Sequence, residues 1–129
     1  MLPFTVTLRP GEPILEQVVY AVSRAVATGQ LRTGDAFPSV RTLSQALRIN
    51  PNTAHKIVAT LVEQGLLDVR PGIGTVVATP RPGAASVRRM ILDTDAERLV
   101  VDARHTGISL AELVQAVRRH WARTIRRVG

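Results

Sequence analysis

The chain has 129 residues, no cysteine, 3% aromatic and 45% hydrophobic residues, and 17 basic against 10 acidic side chains for a formal net charge of +7. That length suits one compact domain, or a small domain with an appendage. The absence of cysteine excludes a disulfide framework and thiolate metal sites, and the scarcity of aromatics predicts an aliphatic core. The opening "MLPFTVTLRP" has no basic stretch followed by a long apolar run, and nothing approaches 18 consecutive apolar residues. The expectation is therefore no secretory leader, no membrane span, and a cytoplasmic protein. The basic balance favours a polyanionic partner without choosing among them.

In chain order, "FTVTL" (4–8) alternates apolar and polar residues and predicts a short strand. From Pro13 to Thr28 the apolar positions Ile14, Val18, Ala21, Val22 and Ala25 recur at helical spacing, and Gly29 follows as a stop. "GQLRTGDAFP" reads as a loop. Ser39 precedes a second, short helix with Val40, Leu43 and Leu47 on one face. Asn50 is placed to cap a third helix, with Pro51 at its first position and Gly65 beyond its end near Gln64. Two helices joined by so short a turn make a helix-turn-helix.

The apolar runs "LLDV" and "TVVA" flank "RPGIG" and predict a β-hairpin turning at Gly72 and Gly74. The Pro/Gly-rich "TPRPGAA" marks the boundary. It divides the chain into residues 1–79, a linker at 80–84, and a tail at 85–129. The tail predicts two helices, 85–105 and 109–127, broken at Gly107. The second opens with a capping box of Ser109 and Glu112.

At 100° per residue, Ala54, Ile57, Val58 and Leu61 fall on one face of the third helix, and Asn52, His55, Lys56 and Ala59 fall opposite. The helix thus buries aliphatic side chains and presents Asn, His and Lys near its N-terminal end. Amide and cationic groups are the types that bond base edges and phosphates in the major groove, and the N-terminal residues of a second helix are the ones that reach bases. Read alone, a polar helix start is a cap and a solvated face. The preceding short helix, the glycine hairpin and the basic balance shift the reading to DNA.

The run "GQLRTGDAFPSVRTLSQALRINPNTAHKIVATLVEQGLLDVRPGIGTVV" resembles the winged helix-turn-helix of GntR-family bacterial transcription regulators over residues 13–78. "NPNT" and the short tail are similar to the YtrA-type subfamily. The resemblance implies a mainly α fold with a small β-hairpin wing and a two-helix dimerisation tail. It also implies a DNA surface of Arg41, Asn50, Asn52, Thr53, His55 and Lys56, with Arg70 and Gly72 at the wing tip. The chain departs from the family pattern at Val58, where many relatives have Tyr, and at Pro71 and Ile73, where the wing of relatives carries a second basic residue.

Other candidates are weaker. Ser39 is better explained as a cap than as a nucleophile, since no His/Asp pattern accompanies it. His55, His105 and His120 are too scattered for a metal site, and "PGIG" lacks the Lys-Ser/Thr of a P-loop. No catalytic constellation is found, so no enzyme activity and no cofactor are expected. "DTDAE" (93–97) reads as a solvated acidic face. Arg118, Arg119, Arg123, Arg126 and Arg127 read as a solvated basic face, with a second DNA contact or a membrane patch as alternatives. Opposite them Leu110, Leu113, Val114, Val117, Trp121 and Ile125 form an apolar stripe that, with Leu99, is expected to pair with a second copy. The reading is a homodimeric repressor on a two-fold symmetric operator, its effector open. A winged-helix module that binds protein instead of DNA is the alternative.

Overall fold

A computed structural model of the chain describes residues 2–79 and 85–125, the side chain of Ile125 excepted. The chain forms two compact units, one built on residues 2–79 and the other on residues 85–123.

In the first unit α1 (Ile14–Thr28), α2 (Val40–Leu47) and α3 (Pro51–Glu63) precede a hairpin of β1 (Leu67–Arg70) and β2 (Gly74–Val77). The helices start and stop where local chemistry directs. Ser39 Oγ accepts the Thr42 backbone N–H at 3.1 Å and so caps α2. Asn50 Oδ1 accepts the Asn52 N–H at 2.7 Å, with Pro51 at the first position of α3. The apolar faces meet in one core: Val18, Val22 and Ala25 of α1, Leu43 of α2, Ala54, Ile57 and Leu61 of α3, and Leu67 and Val77 of the hairpin. α3 is central, packing on α1, α2 and β1.

Two expectations are corrected. "FTVTL" is not a strand. The Thr5 N–H and, just beyond the stretch, the Arg9 N–H bond to glutamine side chains and not to a neighbouring strand edge. Gln30 accepts from the Thr5 N–H at 3.4 Å and donates to Thr5 Oγ1 at 3.1 Å, while Gln17 accepts from the Arg9 N–H at 2.7 Å. Nor is the core purely aliphatic. Phe4 and Phe37 are both buried and stack with ring centroids 5.7 Å apart.

Part of the stretch read as a loop serves the hairpin. β1 and β2 pair antiparallel from Leu67↔Val77 to Arg70↔Gly74. On the other edge of β2, Phe37 N–H donates to Thr75 O, Val77 N–H to Asp35 O, and Gly34 N–H to Val77 O, each at 2.9 Å. β2 is thus bonded on both sides, which anchors the hairpin base to the core.

In the second unit one helical stretch runs through α4 (Ala85–Arg89), a π-helical segment Met90–Asp95 and α5 (Ala96–Thr106). The expected helix is there and one residue longer, but its π segment has no counterpart in the sequence reading. Gly107 closes α5, and Ile108 N–H reaches back to Ala103 O at 2.9 Å. The capping box at the start of α6 (Leu110–Ile125) is formed in both directions, with Glu112 N–H to Ser109 Oγ and Ser109 N–H to Glu112 Oε1 at 3.1 Å each.

Candidate nucleic-acid interface

The burial along α3 separates two faces. Ala54, Ile57 and Leu61 are fully buried, while Asn52, His55 and Lys56 are exposed and Thr53 is half-buried. The division follows from helical phase: the apolar residues recur at three- and four-residue spacing, and the polar ones fill the gaps. The side chains of Arg41, Asn52, His55, Lys56 and Arg70 form no hydrogen bond or ion pair among the described residues. Their donors are therefore available to an external partner. Asn50 differs, since its side-chain oxygen is committed to the cap. The Thr53 N–H has no acceptor among the described residues, which leaves a donor at the positive end of the helix.

Arg41 is exposed on the first turn of α2. Arg48 follows α2, exposed and with a left-handed backbone (φ 56°), and adds a cation in the turn between the two helices. In the sequence Arg48 is marked only as a cation in a turn so tight that one residue must leave the right-handed region.

Arg70 and Gly72 lie at the distal end of the hairpin. Ile73 N–H donates to Arg70 O at 3.0 Å and Gly72 has φ 78°, so Pro71 and Gly72 occupy the two central positions of a type II turn. Glycine is needed there because a side chain would strain that backbone. Val69 and Ile73 are exposed beside the tip, so the wing presents one cation among apolar groups.

A helix-turn-helix with an exposed, unpaired polar helix start and an anchored hairpin is the arrangement of a winged-helix DNA-binding domain. Residues 14–77 match the model for bacterial regulatory proteins of the gntR family. These residues place the chain in the GntR family. The transcriptional repressor YtrA of Bacillus subtilis is 27% identical over 81% of this chain and 82% of its own. YtrA from Sulfolobus acidocaldarius, described as a GntR-family transcription factor, is 26% identical with a TM-score of 0.52, covering 89% of this chain and 93% of that one. A GntR-family transcriptional regulator from Listeria monocytogenes shares the fold at a TM-score of 0.65 and 23% identity, covering 87% and 98%. This GntR-family chain is thus a DNA-binding transcription regulator of the YtrA-like type, and the family consists of regulators and not enzymes.

The residues expected to pair two copies lie on the second unit. Leu99 on α5 and Leu110, Val114, Val117 and Trp121 on α6 are exposed, and Leu113 is half-buried. The side chain of Ile125, like the whole of Arg126 and Arg127, lies outside the described residues.

Proposed function

We propose that this GntR-family regulator is a homodimeric repressor that reads a two-fold symmetric operator with the exposed face of α3. The observation that carries the reading is that Asn52, His55 and Lys56 are exposed and unpaired while Ala54, Ile57 and Leu61 on the opposite face are fully buried and Val58 is half-buried. In this reading Asn52, His55 and Lys56 reach base edges, with Thr53 beside them. The Asn50 amide nitrogen, Arg41, Arg48 and Arg70 meet phosphates, and Gly72 lets the wing backbone approach closely. The exposed apolar residues of α5 and α6 join two copies and set the half-site spacing. Repression is supported by the name of the Bacillus subtilis relative. The targets in this reading are the regulator's own operon and nearby transporter genes, and the compartment is the bacterial cytoplasm.

The test is a salt-dependent gel shift on the DNA upstream of its own gene, with wild type beside the triple variant Asn52→Ala, His55→Ala, Lys56→Ala. Each side chain that reads a base should cost about 1–3 kcal/mol of operator binding. Melting should change little, because none of the three supports the core. Unchanged operator affinity in the triple variant would remove α3 as the reading element.

A further inference from the structure

α6 carries a second feature that the winged helix does not use. Beyond Glu112 the chain has no acidic residue, yet it holds five arginines, at 118, 119, 123, 126 and 127. Of these, Arg118, Arg119 and Arg123 are described, exposed, and without an ion pair or side-chain hydrogen bond among the described residues. At about 100° per residue the three fall within about 140° of arc: Arg119 and Arg123 lie on the side of α6 away from Leu110, Val114, Val117 and Trp121, and Arg118 lies at the border between the two sides. The helix is therefore split lengthwise into a basic face and an apolar face.

We infer that the arginine face of α6 is a second polyanion-binding surface, and that its partner is the phosphate backbone of double-stranded DNA. Exposed, like-charged guanidiniums with no acidic neighbour beyond Glu112 repel one another. A row of phosphates relieves that repulsion and releases counterions. Arginine suits the role because its fork of donors matches phosphate oxygens. The competing polyanion is an acidic membrane. An amphipathic helix binds a membrane with its apolar face buried among acyl chains. In the proposed dimer that face of α6 is covered by a second copy, which leaves only the charged side. The choice of DNA over membrane thus rests on the dimer proposed above. Backbone contacts of this kind add affinity on any sequence and carry no base preference.

The experiment uses the full chain with Arg118, Arg119 and Arg123 all changed to Gln, and a parallel variant with all three changed to Lys. Binding to a non-operator duplex is followed against salt, in the wild-type background and in the Asn52→Ala, His55→Ala, Lys56→Ala background. Each lost phosphate contact should flatten the dependence of log K on log salt by about 0.9. The Gln variant should therefore lose at least about two units of slope, and about tenfold or more of affinity at low salt, in both backgrounds. The Lys variant should keep the slope, and sedimentation should show an unchanged oligomeric state in both. Persistence of the effect in the α3-altered background separates this surface from the reading helix. An unchanged slope in the Gln variant overturns the proposal. So does arginine-dependent binding to phosphatidylserine vesicles alongside unaltered duplex binding. Full-length protein that sediments as a monomer while the Gln variant still loses slope would refute the dimer and uphold the arginine surface.

Discussion

Asn50 Oδ1 accepts the Asn52 backbone N–H at 2.7 Å, so the residue that starts α3 is spent on capping the helix whose exposed face is proposed to read DNA. The two roles separate by substitution. Asn50→Asp keeps a capping oxygen, and the helix N-terminus favours its charge, so stability should be held or slightly raised. That same charge would face phosphates, so operator affinity should fall. Asn50→Ala should lose about 1 kcal/mol of stability by removing the cap. Melting curves and gel shifts on both variants check the separation. Loss of melting temperature in Asn50→Asp comparable to that in Asn50→Ala would contradict the cap.

Arg48 sits in the left-handed region at φ 56°, which an L residue occupies at a cost of roughly 1–2 kcal/mol. Glycine occupies it freely but brings more unfolded-state entropy, worth roughly 0.4–1 kcal/mol against it. Arg48→Gly should therefore stabilise the domain by up to about 1 kcal/mol. If Arg48 also meets a phosphate, the same change should weaken operator and non-operator DNA alike and reduce the salt slope by about one. Higher stability with weaker binding is the expected pairing. A denaturant titration and a salt series measure the two halves.

Helix limits, caps and the hairpin were legible in the sequence because their causes are local. Ser39, Asn50–Pro51, Gly65 and the Ser109/Glu112 box each act within a few residues of their own position. What was not legible depends on distant partners. "FTVTL" alternates like a strand, yet its fate is set by Gln30, 25 residues away, and by the ring of Phe37. The pairing of residues 34–37 with β2 likewise spans about forty residues of chain and leaves no local period. The exposed face of α3 was readable for the opposite reason: helical phase alone sorts buried from exposed residues once the helix start is known.

The N-terminal arm should therefore depend on a side chain more than on its backbone. Phe4 is buried against the core and stacked on Phe37, so Phe4→Ala should cost about 3–5 kcal/mol, the range for large-to-small changes at buried aromatics. Thr5→Ala removes one exposed hydrogen bond to Gln30 and should cost well under about 1 kcal/mol. Urea midpoints of the two variants check the ratio. Equal losses would mean the arm is held by its polar latch instead.

At the start of α6, hydrogen bonds from the Ser109 backbone and side chain hold the Glu112 carboxyl below its ordinary value of 4.5. A carboxylate whose folded value is depressed contributes stability that is fully present above the unfolded value. The contribution is lost as pH falls through the lower, folded value. Between pH 7 and 5 the cap should be unaffected, and α6 should begin to fray only below about 4.5. Glu112→Gln keeps an acceptor for the Ser109 N–H but cannot titrate. Its contribution to helicity should not vary with acid, and the difference from wild type in circular dichroism should vanish as pH is lowered. A difference that grows below pH 4 would reverse the sign of this argument.

The proposed dimer makes the last prediction. Leu99, Leu110, Val114, Val117 and Trp121 are large, apolar and exposed within the second unit. Fully covering such a side chain is worth roughly 1.5–3 kcal/mol, so several covered together support a stable contact between copies. The first unit does not need them, because its core is built from residues 4–77. A chain ending at Thr79 should therefore fold and sediment as a monomer. It should keep half-site binding but lose the gain from linking two half-sites, which is on the order of 10²–10⁴-fold. Trp121→Asp in the full chain should act in the same direction by placing a charge within the contact. Sedimentation of both variants beside wild type, with binding to a full operator and to a half-site, measures each step. A shortened chain that remains dimeric would move the contact to the winged helix. A wild-type monomer at micromolar concentration would leave the apolar residues of α5 and α6 without the role proposed for them.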